Sequence, residues 1–284
     1  MPTLPSGRPE RSAPEPHRAR QVAESFGTDA QRYDRARPGY PGELVARVIA
    51  GSPGPEVLDV GTGTGIAARQ FQAAGCAVLG VEPDERMAEL ARARGLETDV
   101  ATFEGWQPSG RTFDAVIAAQ SWHWVDQLVG AEKVAEVLRP RGRLAVFGHV
   151  YEPPAEAAEP FAAALRRVVP DLPFSGRPAR NPLALYEAGY QKVADTIRET
   201  GRFEEPELWR FDWERQYTRD QWLELLPTTG GLTRLPRDRT AEILDAVGAA
   251  VDSMGGSFTM SYTTLATSAV RRARAGAEDG GTRP

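Results

Sequence analysis

The sequence predicts a doubly wound α/β fold with a mostly parallel sheet. Short apolar strand patterns alternate with helical patterns, which is typical of a parallel sheet with helices on both faces. Each strand–helix unit has the length of a right-handed crossover connection. A glycine-rich turn, VLDVGTGTG, joins the first strand to the first helix of this series. We expect the core of the domain over residues 53–150.

The elements of this core follow one another in chain order. The first strand is EVLDV, and the helix after it, IAARQFQAAG, ends at Gly75. CAVLGVE is the second strand, PDERMAELARARG the second helix and LETDVATF a shorter third strand. FDAVIAAQ is the fourth strand, VDQLVGAEKVAEVLRPRG the next helix and RGRLAVFGHV the fifth strand.

The pattern changes after Val150. Residues 151–206 are rich in proline and contain short helical pieces, which predicts an inserted helical cap rather than further sheet units. In LWRFDWERQ, aromatic residues alternate with charged ones at the period of a half-buried strand. PRDRTAEILDAVGAAVDSM has an apolar helical face, and SFTMSYTTLATSAV favours a last strand. We assign residues 207–273 to the C-terminal part of the sheet.

Composition argues against several classes of protein. The formal net charge of −5 gives no electrostatic reason to expect a nucleic-acid partner. No apolar run approaches the roughly 18 residues that a membrane helix needs. Cys76 is the only cysteine, so neither an internal disulfide nor a zinc cluster of cysteines can form, and we expect a cytoplasmic protein. Residues 1–20 and 274–284 have the composition of disordered tails, and the first contains no secretory signal core.

The stretch VLDVGTGTGIAARQF predicts a ligand site. Glycines let a ligand approach the backbone, and a helix N-terminus presents free amides. A P-loop would need a lysine after its last glycine, and none follows Gly65. A dinucleotide site is a real alternative, because Gly63, Gly65 and Ala68 satisfy G-x-G-x-x-A and Glu82 lies near the position of a ribose-binding acid.

Asp59 helps to distinguish between the kinds of ligand that remain possible at this loop. Its carboxylate lies in the strand two residues before Gly61, where it is unfavourable beside a pyrophosphate. It suits a ligand that carries an ammonium group, which it would meet directly or through water. Glu82, after the second strand, can accept hydrogen bonds from two hydroxyls.

These motifs resemble those of class I S-adenosylmethionine-dependent methyltransferases. VLDVGTGTG resembles the first motif of the family, and VEPDERM resembles the second, in which the acid holds both ribose hydroxyls. FDAVIAAQSWHWVD and RPRGRLAVF match the layout of the fourth and fifth strands. FGTDAQRYDRARPGYP resembles the N-terminal segment of the small-molecule enzymes, where a helix with Tyr and Arg closes over the cofactor. The likeness spans roughly Phe26 to Val150 and extends weakly to the last strand.

The resemblance implies a seven-stranded Rossmann-like sheet, an N-terminal helical lid over residues 21–52 and S-adenosylmethionine as cofactor. An arginine on the lid is expected to pair with the carboxylate of the cofactor. Many relatives carry an Asp and a small residue near the adenine, where this chain has Thr and Phe. The candidate cofactor-binding residues are Tyr33, Arg37, Asp59, Gly61, Thr62, Gly63, Gly65, Glu82, Pro83, Met87, Thr102, Phe103 and Gln120.

The segment AAQSWHWVD follows the fourth strand, at the edge of the sheet where ligands of open α/β folds bind. Methyl transfer from a sulfonium mainly requires alignment of the acceptor and exclusion of water. Trp122 and Trp124 are candidates for substrate binding, although core packing would explain them equally well. His123 is the candidate catalytic base, since an imidazole can remove a proton from a hydroxyl or an amine, and packing is the alternative. His149 is expected to be a structural histidine.

The sequence therefore predicts a metal-independent S-adenosylmethionine-dependent methyltransferase that acts on a small molecule. No nucleic-acid or membrane partner is expected, and a homodimer is allowed. The aromatic content of the cap indicates an apolar or aromatic acceptor. Two alternatives stay open: an NAD-dependent oxidoreductase, for which the chain offers no evident Tyr-Lys or His-Asp hydride relay, and a non-catalytic binding protein of the same fold.

Overall fold

The structure, a computed structural model, describes residues 26–170, 182–229, 232–233 and 235–273. The predicted tails at 1–20 and 274–284, the start of the predicted lid and residues 171–181 of the predicted cap lie outside the described residues. The strands are β1 Glu56–Val60, β2 Ala77–Glu82, β3 Glu97–Val100, β4 Phe113–Ala119, β5 Leu138–Glu152, β6 Glu207–Thr218 and β7 Ser257–Val270. The α-helices are α1 Ala30–Ala36, α2 Gly42–Ala50, α3 Ile66–Ala73, α4 Glu85–Ala93, α5 Gln127–Val137, α6 Ala155–Val168, α7 Pro182–Glu199, α8 Arg219–Leu225 and α9 Arg237–Ser253. Within the described ranges no helix is long and apolar enough to cross a membrane.

The seven strands form one mixed sheet in the order β3-β2-β1-β4-β5-β7-β6. Strands β1 to β5 are parallel, and β7 runs antiparallel to both of its neighbours. The prediction of an α/β sheet with seven strands is confirmed, with this reversal of β7 added. β5 begins earlier than predicted, because Leu138 already pairs with Phe113 of β4 instead of ending the preceding helix.

Helices cover both faces of the sheet because side chains of a buried strand point alternately to its two faces. In β1, Leu58 and Val60 pack in the apolar cluster that includes α5 and α7. Val57 packs on the opposite face, in the cluster that includes α2 and α3. The result is three layers, with the carboxyl ends of the parallel strands left open to a ligand.

The insertion after β5 contains longer helices than the short pieces that the sequence predicted. Helix α6 continues through Pro160, although this proline lacks the amide that an interior helical position would use. Its buried residues, Ala157, Ala164 and Val168, pack with α9 and the adjoining parts of β6 and β7. Tertiary packing therefore maintains a helix that local proline content argued against.

Candidate functional site

A cavity of about 660 Å³ opens at the carboxyl ends of the parallel strands. Residues that follow β1, β2, β3 and β4 line one end of it. Residues of β5, β7 and α7 line the other end, and α1 borders both. The volume lies within the range of about 300–1,000 Å³ that is usual for small-molecule sites. The position of the cavity is the one that the sequence predicted.

The glycine-rich turn after β1 is a left-handed loop. Gly61, Gly63 and Gly65 have φ angles of 67°, 57° and 85°, a region that other residues enter only with strain. A Cβ on Gly61 would stand 2.5 Å from the Cβ of Ser121, whereas a Cβ on Gly63 would meet nothing within 4 Å. Gly61, Thr62 and Gly63 line the cavity, while Gly65 caps α3 behind it. The loop therefore offers uncovered backbone to a ligand at Gly63.

Glu82 stands at the end of β2 and faces the same part of the cavity. Its carboxylate accepts hydrogen bonds from the amides of Gly63, at 2.8 Å, and Asp84, at 2.9 Å. Burial raises the pKa of this carboxyl to about 7, against the lowering effect of the two amides. Each oxygen has a further lone pair, so the group can also accept two hydroxyls of a ligand.

Asp59 lies under the glycine loop and does not line the described part of the cavity wall. One of its oxygens accepts a hydrogen bond from the hydroxyl of Thr62 at 2.7 Å, and the other makes no full hydrogen bond within the described residues. Burial raises the pKa of Asp59 to about 7, although the hydroxyl of Thr62 and the nearby amide of Ala68 lower it. The strand alternation turns Asp59 toward α3, which does not favour a direct ligand contact, and the contact, direct or through water, stays a prediction.

The residues expected near an adenine lie together at this end. Pro83 and Met87 follow β2, Thr102 and Phe103 follow β3, and all four line the cavity. Phe103 is buried and lies 6.3 Å, centroid to centroid, from the ring of Trp106. The hydroxyl of Thr102 accepts the amide of Gly105 at 3.3 Å, so it is already partly engaged.

Tyr33 of α1 and Arg37, the residue that follows this helix, line the cavity, and their role in a lid stays a prediction. The guanidinium of Arg37 lies 5.0 Å from the ring centroid of Tyr33. Its Nε donates to the hydroxyl of Thr228 at 3.0 Å and its Nη2 to the carbonyl of Thr228. Nη1 makes no hydrogen bond to the described residues, which leaves one edge of the guanidinium for an anionic group.

The loop after β4 places two tryptophans that are close in sequence in different environments. Gln120, with a φ of 58°, begins the loop, and a 3₁₀ helix spans Trp122–Trp124. A 3₁₀ helix has three residues per turn, so residues two apart point in different directions. Within the described structure, Trp124 lines the cavity with Gln120, whereas Trp122 is buried in the core beside Phe103. The prediction that Trp122 contacts the substrate is therefore wrong, whereas Trp124 stays a candidate.

His123 faces the cavity, and its ring lies 4.6 Å from that of Trp124. Although its surface is exposed toward the cavity, the surrounding protein desolvates the imidazole and lowers its pKa to about 4. The ring is therefore neutral at neutral pH. Neither ring nitrogen makes a hydrogen bond to the described residues, so both are open to a ligand.

His149 also lines the cavity, but both of its nitrogens are engaged. Nε2 lies 3.2 Å from the carbonyl of Gly39, which can only accept, so Nε2 carries the proton. Nδ1 lies 2.9 Å from the hydroxyl of Thr264, which also accepts the indole N–H of Trp213 at 2.9 Å and can donate to Nδ1. Burial lowers the pKa of His149 to about 4. This agrees with its expected structural role.

Sequence reasoning missed most of the aromatic residues at the far end of the cavity. They are Tyr40, Tyr151, Tyr186 and Tyr262. Tyr151 lies near the end of β5, which was a usable signal. Tyr262 comes close only because β5 and β7 pair in a register that sets it opposite Tyr151, and local patterns carry no information on that register.

A family model described as a methyltransferase domain matches residues 57–142, from the second residue of β1 to the start of β5, with the glycine loop included. Uncharacterized methyltransferases of Mycobacterium bovis and Mycobacterium tuberculosis are 37% identical over 127 residues, covering 44% of this chain and 52% of each relative. The chain thus spans about half the length of these relatives.

Two further comparisons reach beyond this segment. A protein of Tropheryma whipplei named demethylmenaquinone methyltransferase is 31% identical over 189 residues, covering 62% of this chain and 77% of the relative. The solved structure of a candidate type II methyltransferase from Anaeromyxobacter dehalogenans covers 83% of this chain and 97% of its own, with 25% identity and a TM-score of 0.57.

Proposed function

The chain belongs to the class I S-adenosylmethionine-dependent methyltransferases, and we propose that it transfers a methyl group from this cofactor to a small molecule. Membership of the family decides the choice between S-adenosylmethionine and NAD in favour of the first. The observation that carries the proposal is the Glu82 carboxylate, held by the Gly63 amide at the open backbone of the loop. This carboxylate can accept the two ribose hydroxyls of S-adenosylmethionine beside the open loop.

The residues present fit the cofactor. We propose that Glu82 accepts the ribose hydroxyls, that the glycine loop borders the amino-acid end and that Arg37 uses its open edge for the carboxylate. When bound, S-adenosylmethionine supplies an electrophilic methyl group on a sulfonium. The other residues that would surround it are Tyr33, Thr62, Pro83, Met87, Thr102, Phe103 and Gln120.

The rest of the cavity would hold the acceptor. A small molecule fits a cavity of this volume, and the relative from Tropheryma whipplei is named for a small-molecule substrate. Trp124 would pack on the acceptor, and His123 would take a proton from it, because its ring nitrogens are open and its imidazole is neutral. Helix α1 and the helices inserted after β5 would serve as lid and cap that limit water.

The proposal is tested by incubating the protein with S-adenosylmethionine labelled on its methyl group and a panel of metabolites. Transfer of label to a small molecule is the expected result. Tight binding of the cofactor with no transfer across the panel would favour the non-catalytic alternative instead. A homodimer and a cytoplasmic location stay predictions.

A further inference from the structure

Four aromatic rings form a continuous wall at the far end of the cavity. The aromatic wall consists of Tyr40, His149, Tyr262 and Tyr151, all of which line the cavity. Successive ring centroids are 4.4, 5.7 and 6.1 Å apart. Trp213 stacks on Tyr262 at 4.2 Å with the planes 11° apart, which backs the wall from β6.

The polar atoms of the two central rings are satisfied by the protein. The hydroxyl of Tyr262 lies 2.7 Å from that of Tyr217, and both nitrogens of His149 are engaged. These two rings therefore present mainly ring carbon to the cavity. Groups whose hydrogen bonds are complete gain little from a polar ligand, whereas ring faces and edges favour aromatic partners.

Of the charged side chains that line the cavity, Arg37 lies near this wall and acts electrostatically on Tyr40, His149 and Tyr151. Among the described lining residues, the charged side chains are Arg37, Glu82 and Glu104. The carboxylate of Glu82 lies at the glycine loop, and that of Glu104 accepts the amide of Asp126 at 2.9 Å. Arg37 is tied to Thr228 and, under the proposed function, serves the cofactor. With Arg37 engaged by Thr228 and the cofactor, an anionic acceptor would lose its hydration here without gaining a partner, and a cationic one would face both Arg37 and the sulfonium.

From this arrangement we infer that the acceptor is an uncharged, flat aromatic molecule that packs on the aromatic wall, and that Tyr186 of α7 determines specificity by covering it. Tyr186 lines the cavity although 47% of its surface is exposed. The preceding residue, Leu185, is 64% exposed and lies outside the described lining. The pair therefore offers a matched test on one helix. The inference rests on the proposed function.

The test uses calorimetric titration of the full chain, first with S-adenosylhomocysteine and then with three probes at neutral pH. Naphthol is neutral, naphthoate is anionic and naphthylmethylammonium is cationic. We expect naphthol to bind at least about tenfold more tightly than either charged probe. Tighter binding of a charged probe, or no naphthol binding by protein that holds S-adenosylhomocysteine, overturns the inference. A protein that binds neither S-adenosylhomocysteine nor S-adenosylmethionine overturns the proposed function instead.

The role of Tyr186 is tested by three variants of the same protein. Tyr186→Ala is expected to weaken naphthol binding about fivefold, because it removes an aromatic contact surface. Tyr186→Phe should keep the affinity, since the ring and not the hydroxyl is needed, and Leu185→Ala should leave it unchanged. Equal effects of Tyr186→Ala and Leu185→Ala, or a loss with Tyr186→Phe as large as with alanine, would contradict this role.

Discussion

The end of the cavity over β1 and β2, the backbone end, includes the open backbone of the glycine loop, whereas the end over β5 and β7 is lined by aromatic side chains. At the first end, left-handed glycines and amides surround the carboxylate of Glu82. At the second, neutral rings from distant segments contact one another in stacked, edge-on and tilted pairs. A backbone site recognises a ligand that stays the same through a family, and a side-chain site can change its ligand without changing the fold.

The largest effect is expected at the backbone end. Glu82→Ala should weaken S-adenosylmethionine binding about 100-fold or more, because the variant loses two hydrogen bonds to a charged group, each of roughly 1.5–3 kcal/mol. Calorimetric titration measures this affinity. Glu85→Ala, at an exposed position three residues later, is the control and should bind like the wild type. Equal losses in the two variants would show that the Glu82 side chain holds no ribose.

At the boundary between the two ends, His123→Ala should lower kcat about 100-fold, at the lower limit for general base catalysis. Its effect on cofactor affinity should be small, so the defect is in the chemical step. Because the pKa of His123 is lowered to about 4, the base form is present at neutral pH, and the wild-type rate should show no inflection near pH 6.5 from this group.

The assay for His123 uses an acceptor found in the labelled panel and a pH–rate profile from about pH 5 to 9. Leu128→Ala changes an exposed residue nearby and serves as control. Unchanged turnover in His123→Ala would remove the histidine from the proton transfer and leave it a packing role.

A smaller effect is expected from the open backbone of the loop. Gly63 and Gly75 both have positive φ angles and open space at the Cβ position, but only Gly63 lines the described cavity. Alanine at either site should cost about 1–2 kcal/mol of unfolding free energy through backbone strain. Only Gly63→Ala should weaken S-adenosylmethionine binding, by about tenfold. Equal affinities in the two variants would mean that the cofactor does not approach the loop.

The smallest effect on cofactor affinity is expected for Asp59→Asn, about threefold, because the group lies under the loop. The change should appear in stability instead. The pKa of Asp59 is raised to about 7, so between about pH 4 and 7 the folded chain keeps a proton that the unfolded chain has lost. The contribution of Asp59 to the free energy of unfolding therefore falls as pH rises, by at most about 1.4 kcal/mol per pH unit.

Urea unfolding at pH values on both sides of this window measures the effect. The stability of the wild type relative to Asp59→Asn should decrease from about pH 4 to pH 7 and then stay constant. Parallel pH profiles for the two proteins would contradict a raised pKa at Asp59. A loss of cofactor affinity far above threefold would instead support the direct contact that the structure does not favour.

The backbone end could be predicted from sequence because its signals are local. Gly61, Gly63 and Glu82 stand at fixed distances from strand ends, and both the turn and the buried strands have short-range patterns. The side of the sheet on which Asp59 lies could also be predicted, because alternation with Leu58 and Val60 along the strand turns its side chain toward α3. Its contact with the ligand, direct or through water, stays a prediction.

The aromatic end could not be predicted in the same way. Tyr262 reaches Tyr151 through a register between distant strands, and Tyr186 reaches the cavity through the docking of α7. The two tryptophans beside His123 look equivalent in sequence, and only the 3₁₀ turn separates Trp122 in the core from Trp124 in the cavity. Such placements depend on tertiary packing, which single-sequence patterns do not contain.

The glycine loop and Glu82 are proposed to hold S-adenosylmethionine together. Calorimetric titration of the wild type and Glu82→Ala with S-adenosylmethionine and NAD tests it most directly. We expect the wild type to bind S-adenosylmethionine and to give no response to NAD. The Glu82→Ala variant should lose the affinity for S-adenosylmethionine. Tight NAD binding without a response to S-adenosylmethionine would contradict the account.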